Sequence, residues 1–496
     1  MRSVAIPEET ERQLAQHLTR QDLQEDLCFA LWCPSAGRDR LTALVYEFVP
    51  PQPGERHVHG NASFEPAYFE RALGRALEAD AGLALMHSHP GGRGWQGMSR
   101  DDVNAERGHA AQAFAATGLP LVGITLATED GRWSARTWEK TGPRVFERRD
   151  CISVRSVGSH LSLSFNSDLL PAPPPIEEQL RTRSAWGDAH QDDIARLRVG
   201  VVGLGSVGAL VAETLARTGV QHLRLIDFDA VERHNLDRLV HATSRDIGRA
   251  KVDVAAEQLK LSATAREPEI EPLDISVVEP DGLLAALDCD VLFSCVDRPW
   301  PRHVLNFIAY AHLIPVVDGG ILVEVTARRL MRAANWKAHI AAPGRRCLEC
   351  LGQYDTGLVE AERHGHFDDP EYIKRLPNDH PIKQNENVFA FSMGCAALEV
   401  GQLLSMIVAP GGVSDYGAQN YHFVSGTMDL DTRGCNADCP FGGSLLAQGD
   451  RSGFVVTGSH EVAERARRRR TDHPGRRRNA RLSLRAWLCA LWHLRR

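Results

Sequence analysis

The spacing of apolar and polar positions divides the chain into two stretches of different rhythm. In the first, compact apolar runs at residues 27–33, 41–49 and 82–86 read as strands. Residues 8–18 and 64–79 carry apolar residues at helical spacing, and a helical pattern at 103–116 has Ser99 in the N-cap position. Residues 50–60 are rich in proline and glycine and read as a turn-bearing connection. The second rhythm starts near residue 198. An apolar run at 199–202 enters a glycine turn, a helical pattern stops near Gly219, and another apolar run at 223–226 ends at Asp227. Further on, an apolar strand leads from Asp290 to Asp297, a helical stretch covers 302–312, and strands follow at 314–317 and around 322–330. Between the two stretches, Pro171-Ala-Pro-Pro-Pro175 excludes helix and central strand. The expected organisation is an α/β unit over 1–165, a linker over 166–178, a Rossmann-like α/β unit over 179–456, and an arginine-rich tail over 457–496. That tail has too few apolar residues for a core and is expected to be disordered.

Composition adds limits. A chain of 496 residues suits two or three domains, and 43% apolar residues are enough for sizeable cores. The net charge of −7 argues against a general nucleic-acid binder, despite the basic tail. The first residues lack a signal-type apolar segment, and no long uncharged apolar run of membrane-spanning length stands out. A cytoplasmic location without a membrane partner is therefore expected. Four of the eleven cysteines fall in two close pairs, Cys347/Cys350 and Cys435/Cys439. In a reducing compartment such pairs suit a structural tetrahedral zinc site.

The glycine turn is Gly203-Leu-Gly205-Ser-Val-Gly208. Its glycines let backbone approach a phosphate, and the following helix start offers free N–H groups and a positive dipole end. With Asp227 downstream, this much also describes a dinucleotide site. The sequel differs: Asp229, Asn235-Leu-Asp-Arg238 and Gly248-Arg-Ala-Lys251 place cations where a triphosphate would need neutralising. The run resembles the ubiquitin-activating enzyme family, including ThiF/MoeB-like bacterial adenylyltransferases that activate sulfur carriers. The resemblance implies ATP and Mg2+ as cofactors, with the turn glycines, Asp229 and Asn235 shaping the nucleotide site. It implies that Asp227 holds the ribose, that Arg238 and Lys251 contact the phosphates, and that Asp297 handles magnesium. It also implies a homodimer in which Arg183, rather than Arg181, reaches the partner subunit's ATP. Family members that carry cargo on a thiol place a cysteine in a crossover loop, here 351–387. That loop contains none, is rich in Asp, Glu, His and Pro, and is expected to be mobile. Cys395 reads as a buried helix residue.

A second constellation sits on the first unit. His87-Ser-His89-Pro90 closes the strand at 82–86, and residues i and i+2 of a strand point the same way. After a glycine-rich loop comes Ser99-Arg-Asp-Asp102. Two imidazoles and a carboxylate make an open zinc site of catalytic type. His57 and His59 share the spacing without the later acid and read as loop residues. The full pattern is similar to that of the JAMM (MPN-type) metalloproteases. The resemblance implies Glu25 as general base, with Glu47 as the alternative, and Ser99 as an oxyanion stabiliser.

Both resemblances together imply two chemistries on one chain: adenylation of the glycine-type C-terminus of a ubiquitin-like protein, and zinc-dependent trimming or deconjugation of that protein. The expected setting is a bacterial ubiquitin-like modification system with a conjugating enzyme, of the kind thought to act in antiphage defence. Activation and processing of a sulfur carrier is the alternative.

Overall fold

The computed structural model describes residues 1–326, 328, 330–377, 383 and 386–472. It contains two large sheets. The first runs, edge to edge, through Leu161–Phe165, Ser153–Val157, Arg2–Pro7, Leu41–Val49, Leu27–Ala36, Gly82–His89, Leu121–Ala127, Arg132–Gly142 and Val145–Asp150. Its central strands Leu27–Ala36, Gly82–His89 and Leu121–Ala127 are buried on both faces, so they read as compact apolar runs and not as alternating ones. Cys28, Ala30, Trp32, Ala84 and Met86 pack with Leu14 and Leu18 of the helix Glu8–Leu18. Their neighbours Leu27, Phe29, Leu31, Leu83 and Leu85 face the helices Pro66–Glu78 and Arg100–Thr117. This period of two puts His87 and His89 on the side where the helix Arg100–Thr117 begins. The connection at 50–60 is more ordered than expected: Arg56–His59 and Asn61–Phe64 form a hairpin. His57 and His59 are therefore strand residues, and His57 Nε2 lies 2.8 Å from Glu65 Oε1.

The second sheet runs Glu269–Leu273, His222–Ile226, Arg198–Val202, Val291–Ser294, Val316–Val325, Met331–Ala341, Ala418–His422 and Thr427–Asp431. Its first five strands are parallel and the rest antiparallel. Strand order reverses between Arg198–Val202 and Val291–Ser294, which opens a crevice at their C-terminal ends. The helices Ser206–Thr218, Lys251–Ser262 and Phe389–Val408 bury one face of this sheet. The helix Phe389–Val408 is, against expectation, long and apolar enough to cross a membrane. Here it lies along strands Val316–Val325 and Met331–Ala341 and buries Cys395, Val400, Leu403 and Met406.

The sheets share one apolar cluster, which joins Leu44, Val157, Leu161 and Leu163 to Leu197, Val199 and Val201. A buried ionic knot adds to it. Arg40 and Arg155 each donate to Asp290 Oδ1 at 2.6 Å, and the Arg198 N–H donates to Asp290 Oδ2 at 2.9 Å.

Two segments expected to be mobile or disordered carry helices where they are described. The described part of the 351–387 loop contains helices Thr356–Arg363 and Pro370–Arg375; the remainder lies outside the described residues. The tail folds as far as it is described, with a helix at Glu461–Asp472. Its alanines and arginines are good helix formers, and the buried Ala463 gives it an inward face. Residues 473–496, where the rest of the disordered tail was expected, lie outside the described residues.

Candidate functional site

The crevice at the strand-order reversal is a cavity of about 1410 Å³. Gly203, Gly205, Asp227, Asp229, Asn235, Arg238, Lys251 and Asp297 all line it. Gly203 has φ +90°, and a Cβ there would lie 2.4 Å from the Cys295 carbonyl oxygen, so only glycine fits. At Gly208 a Cβ would fall 1.8 Å from the Gly203 oxygen. Gly208 therefore shapes the turn from behind, away from the cavity wall. The Asp227 carboxylate accepts from Leu204 N at 2.6 Å and Asp229 N at 2.7 Å, tying the second strand to the glycine turn. Burial raises its pKa, and the Lys251 ammonium opposes this. Lys251 Nζ donates to Asp229 at 2.7 Å. Burial works against its charge, but Asp227, Asp229 and Asp297 hold it above its ordinary pKa. Arg238 bonds the His234 carbonyl at 2.7 Å and Asp237 at 2.8 Å. Arg183 is not brought to this cavity. It is buried with its guanidinium on Asp188 and Asp192, both at 2.9 Å.

Several cavity residues escaped the sequence reading. Arg302 donates to Asp318 at 2.8 Å and to the Val296 carbonyl at 2.8 Å. Asp318 stands early in the strand Val316–Val325, opposite Ser294 at the C-terminal end of the parallel strand Val291–Ser294, a position that could have marked it. Lys337 comes from an antiparallel strand; burial, with Arg302 adding to it, pushes its ammonium down to about 8. Ser206, at the helix start, is bonded by Asn387 at 2.9 Å and Ser392 at 3.0 Å. Cys395 is sealed in behind, its thiol directed to Glu399 at 3.4 Å, and burial raises its pKa far above the ordinary value.

The second candidate site lies on the first sheet. One ligand atom from each of His87, His89 and Asp102 lies within 4.8 Å of the others. His87 Nε2 and His89 Nε2 lie 3.9 and 3.8 Å from Asp102 Oδ2. Ser99 and Asp102 form a capping box that starts the helix: Ser99 Oγ accepts from Asp102 N at 3.1 Å, and Ser99 N donates to Asp102 Oδ2 at 2.9 Å. The Ser99 hydroxyl also lies beside the Asp102 carboxylate and helps to hold it anionic. Burial, with Arg136 adding to it, pushes His87 down to about 3, so its imidazole is neutral and able to ligate. The neighbouring His89 imidazole, with His87 and Ser99 adding to it, holds Asp102 well below the usual carboxylate range, which keeps it anionic. This donor set fits a divalent metal. Glu25, His87 and Asp102 line one cavity of about 640 Å³ with apolar walls that include Leu27, Phe64 and Phe69. Burial and the Asp102 charge raise the pKa of Glu25, as suits a proton carrier. Glu47 is paired with Arg75 at 2.5 Å and does not line this cavity. Asp26 was missed. It is buried and accepts from Arg56 at 2.7 Å, which ties the 56–64 hairpin to the site.

The four paired cysteines also converge. One sulfur from each of Cys347, Cys350, Cys435 and Cys439 lies within 4.8 Å of the others. Backbone N–H groups aim at these sulfurs: Cys347 N at Cys435 (3.1 Å), Cys350 N at Cys347 (3.2 Å) and Asn436 N at Cys350 (3.4 Å). Such donors stabilise thiolates, so the set fits zinc.

Comparison with known proteins concerns the first of these sites. The ThiF family model matches residues 176–427, just over half of the chain. Over 134 residues, 27% of this chain and 52% of that protein, the chain is 33% identical to molybdopterin-synthase adenylyltransferase of Escherichia coli K12. It is 32% identical over 214 residues to adenylyltransferase and sulfurtransferase uba4 of Neosartorya fischeri, covering 43% of this chain and 36% of that protein. It is 30% identical over 142 residues to tRNA threonylcarbamoyladenosine dehydratase of E. coli K12, covering 28% of this chain and 52% of that protein. The chain thus spans about half, or less, of the length of these curated relatives.

Proposed function

The chain belongs to the ThiF family, and from that premise we propose that it adenylates the C-terminal carboxylate of a ubiquitin-like or sulfur-carrier protein. In this reaction a carboxylate oxygen attacks the α-phosphorus of ATP. The bond to the β-bridging oxygen breaks, pyrophosphate leaves, and an acyl-adenylate remains. The observation that carries the reading is the convergence of the glycine turn, Asp227, Arg238, Lys251 and Asp297 on one crevice. Lys251, Arg238 and Arg302 neutralise the phosphate charge that builds up as pyrophosphate departs. Asp227, fixed by two backbone N–H groups, presents its remaining lone pairs to the ribose hydroxyls. Asp297 would hold Mg2+, which supplies charge neutralisation at the phosphates when bound. Cys395 is sealed away and 351–387 carries no cysteine. The acyl-adenylate is therefore handed to a separate acceptor. The glycine-type tail, the homodimer with Arg183 at its interface, and a cytoplasmic setting belong to the same reading. The direct test is mass spectrometry of a candidate carrier after incubation with ATP: AMP attached to its C-terminus supports the reading, and an unmodified carrier with ATP consumed refutes it.

A second activity is favoured by the pairing of the His87, His89 and Asp102 cluster with Glu25 in one cavity. We propose a JAMM-type metallopeptidase that cleaves the bond following the same carrier's C-terminus. A zinc ion there would supply Lewis acidity. Glu25 takes a proton from the attacking water and returns it to the leaving amine, while the Ser99 hydroxyl donates to the oxyanion. Protein modification, including in antiphage defence, and sulfur transfer would use the same two steps; the acceptor distinguishes them.

A further inference from the structure

The segment after residue 452 docks on the nucleotide crevice, beyond the residues matched by the family model. Its extended part is held by backbone contacts. Gly458 N donates to the Val278 carbonyl at 2.9 Å, and Trp300 Nε1 donates to the Val456 carbonyl at 2.8 Å. Val456 is buried in the core beneath. At Gly458 a side chain would press on the Trp300 ring, since a Cβ would already sit 3.3 Å away. The His460 ring then lies edge-on to Phe228, with centroids 4.9 Å apart, and 5.8 Å from Trp300. The helix Glu461–Asp472 is fastened at two further points. Arg467 pairs with both Glu279 oxygens at 2.8 and 2.5 Å. Arg470 donates to the Phe228 carbonyl at 2.7 Å and to Asp274 at 2.5 Å.

These anchors surround one end of the crevice. The phosphates belong at the glycine turn and the ribose at Asp227. The nucleobase must then lie beyond Asp227, where the outer strand Glu269–Leu273 ends. Ile275, Ser276 and Val277 line the cavity there, and so do Phe228, His460 and Val462. Arg470 grips the carbonyl of the residue between Asp227 and Asp229, so the arm also braces the turn that presents the ribose acid.

We propose that this C-terminal arm, residues 454–472, is the base-side wall of the nucleotide site. His460 and Val462 contact the base of a nucleoside triphosphate, and Arg470 is a positioning residue for the Asp227 turn. The inference rests on the adenylation reading. Binding and docking are then linked: the nucleotide must protect the docked arm as strongly as the arm favours the nucleotide.

The test uses the full chain with ATP and, as a probe without a base, inorganic tripolyphosphate. First, equilibrium binding of ATP is measured. Absence of binding would overturn the adenylation reading itself. If ATP binds, His460→Ala and Arg470→Ala are each expected to weaken ATP about tenfold while leaving tripolyphosphate affinity unchanged. In the unsubstituted chain, ATP but not tripolyphosphate is expected to slow hydrogen exchange of the amides of 454–472. ATP affinity unchanged in both variants, equal losses for ATP and tripolyphosphate, or an arm that ATP does not protect would each overturn the arm's role and leave the adenylation reading standing.

Discussion

Asp290→Ala tests the join between the two sheets. The Arg40 and Arg155 side chains are both fully buried, and Asp290 is 4% exposed. Among the described residues, Nε and Nη2 of Arg155 have no hydrogen-bond partner, so its bond to Asp290 is the one that offsets its burial. Burial and the neighbouring Arg40 already push the Arg155 guanidinium down to about 10, with Asp290 opposing both. Removing the carboxylate leaves two like charges in a buried site, with only backbone carbonyls of Leu287 and Cys289 left to Arg40, and frees the Arg198 N–H as well. Breaking a buried pair in this way costs about 3–5 kcal/mol, and the loss of a shared partner for two cations places the cost at the upper end. Urea denaturation followed by tryptophan fluorescence measures it. Because the sheets share a core, both are expected to unfold in one transition shifted to lower urea. Adding Arg155→Leu should restore much of the loss, since an apolar residue of similar bulk carries no buried charge. A loss below about 1 kcal/mol, or no rescue by the second substitution, would refute the reasoning. The same pair sets a pH dependence. Burial opposes the Asp290 charge, but Arg40 and Arg155 hold its pKa below the ordinary value. Its stabilisation is thus fully present above the unfolded value of about 4 and is lost as pH falls through the lower folded value.

Other outcomes are expected elsewhere. Gly208→Ala should reduce ATP–pyrophosphate exchange by about a hundredfold, because the new methyl would meet the Gly203 carbonyl oxygen; near-normal exchange would show that the turn tolerates displacement. Lys337 is charged below about 8, so ATP affinity in a titration calorimeter should fall as pH rises from 7 to 9, and Lys337→Met should flatten that profile. Cys435→Ser should release zinc, read by a colorimetric chelator, and lower the melting temperature, whereas full zinc retention would contradict the four-cysteine assignment. His87→Ala should abolish cleavage of a carrier fusion and leave exchange intact; loss of both would contradict two independent sites.

Local chemistry was legible in the sequence where it depends on spacing along one element. His87 and His89 share a strand face, Asp102 sits in a capping box three residues after Ser99, and Gly203 to Asp227 form one strand–turn–helix–strand unit. What spacing cannot reveal is pairing across long separations. Arg302, Asp318 and Lys337 reach the crevice from three different elements, and Asp290 meets Arg40 only when the sheets dock. The arginine-rich helix Glu461–Asp472 was misread as disordered because its partners, Glu279, Asp274 and Phe228, lie about two hundred positions earlier. The hairpin at 56–64 was misread because a buried Asp26–Arg56 pair fixes a segment whose own composition favours turns.

The most direct measurement is exchange of labelled pyrophosphate into ATP in the presence of a carrier ending in glycine. The account predicts carrier-dependent exchange that is lost in Asp297→Ala and persists in His87→Ala. Exchange that ignores the carrier, or that survives Asp297→Ala unchanged, would contradict it.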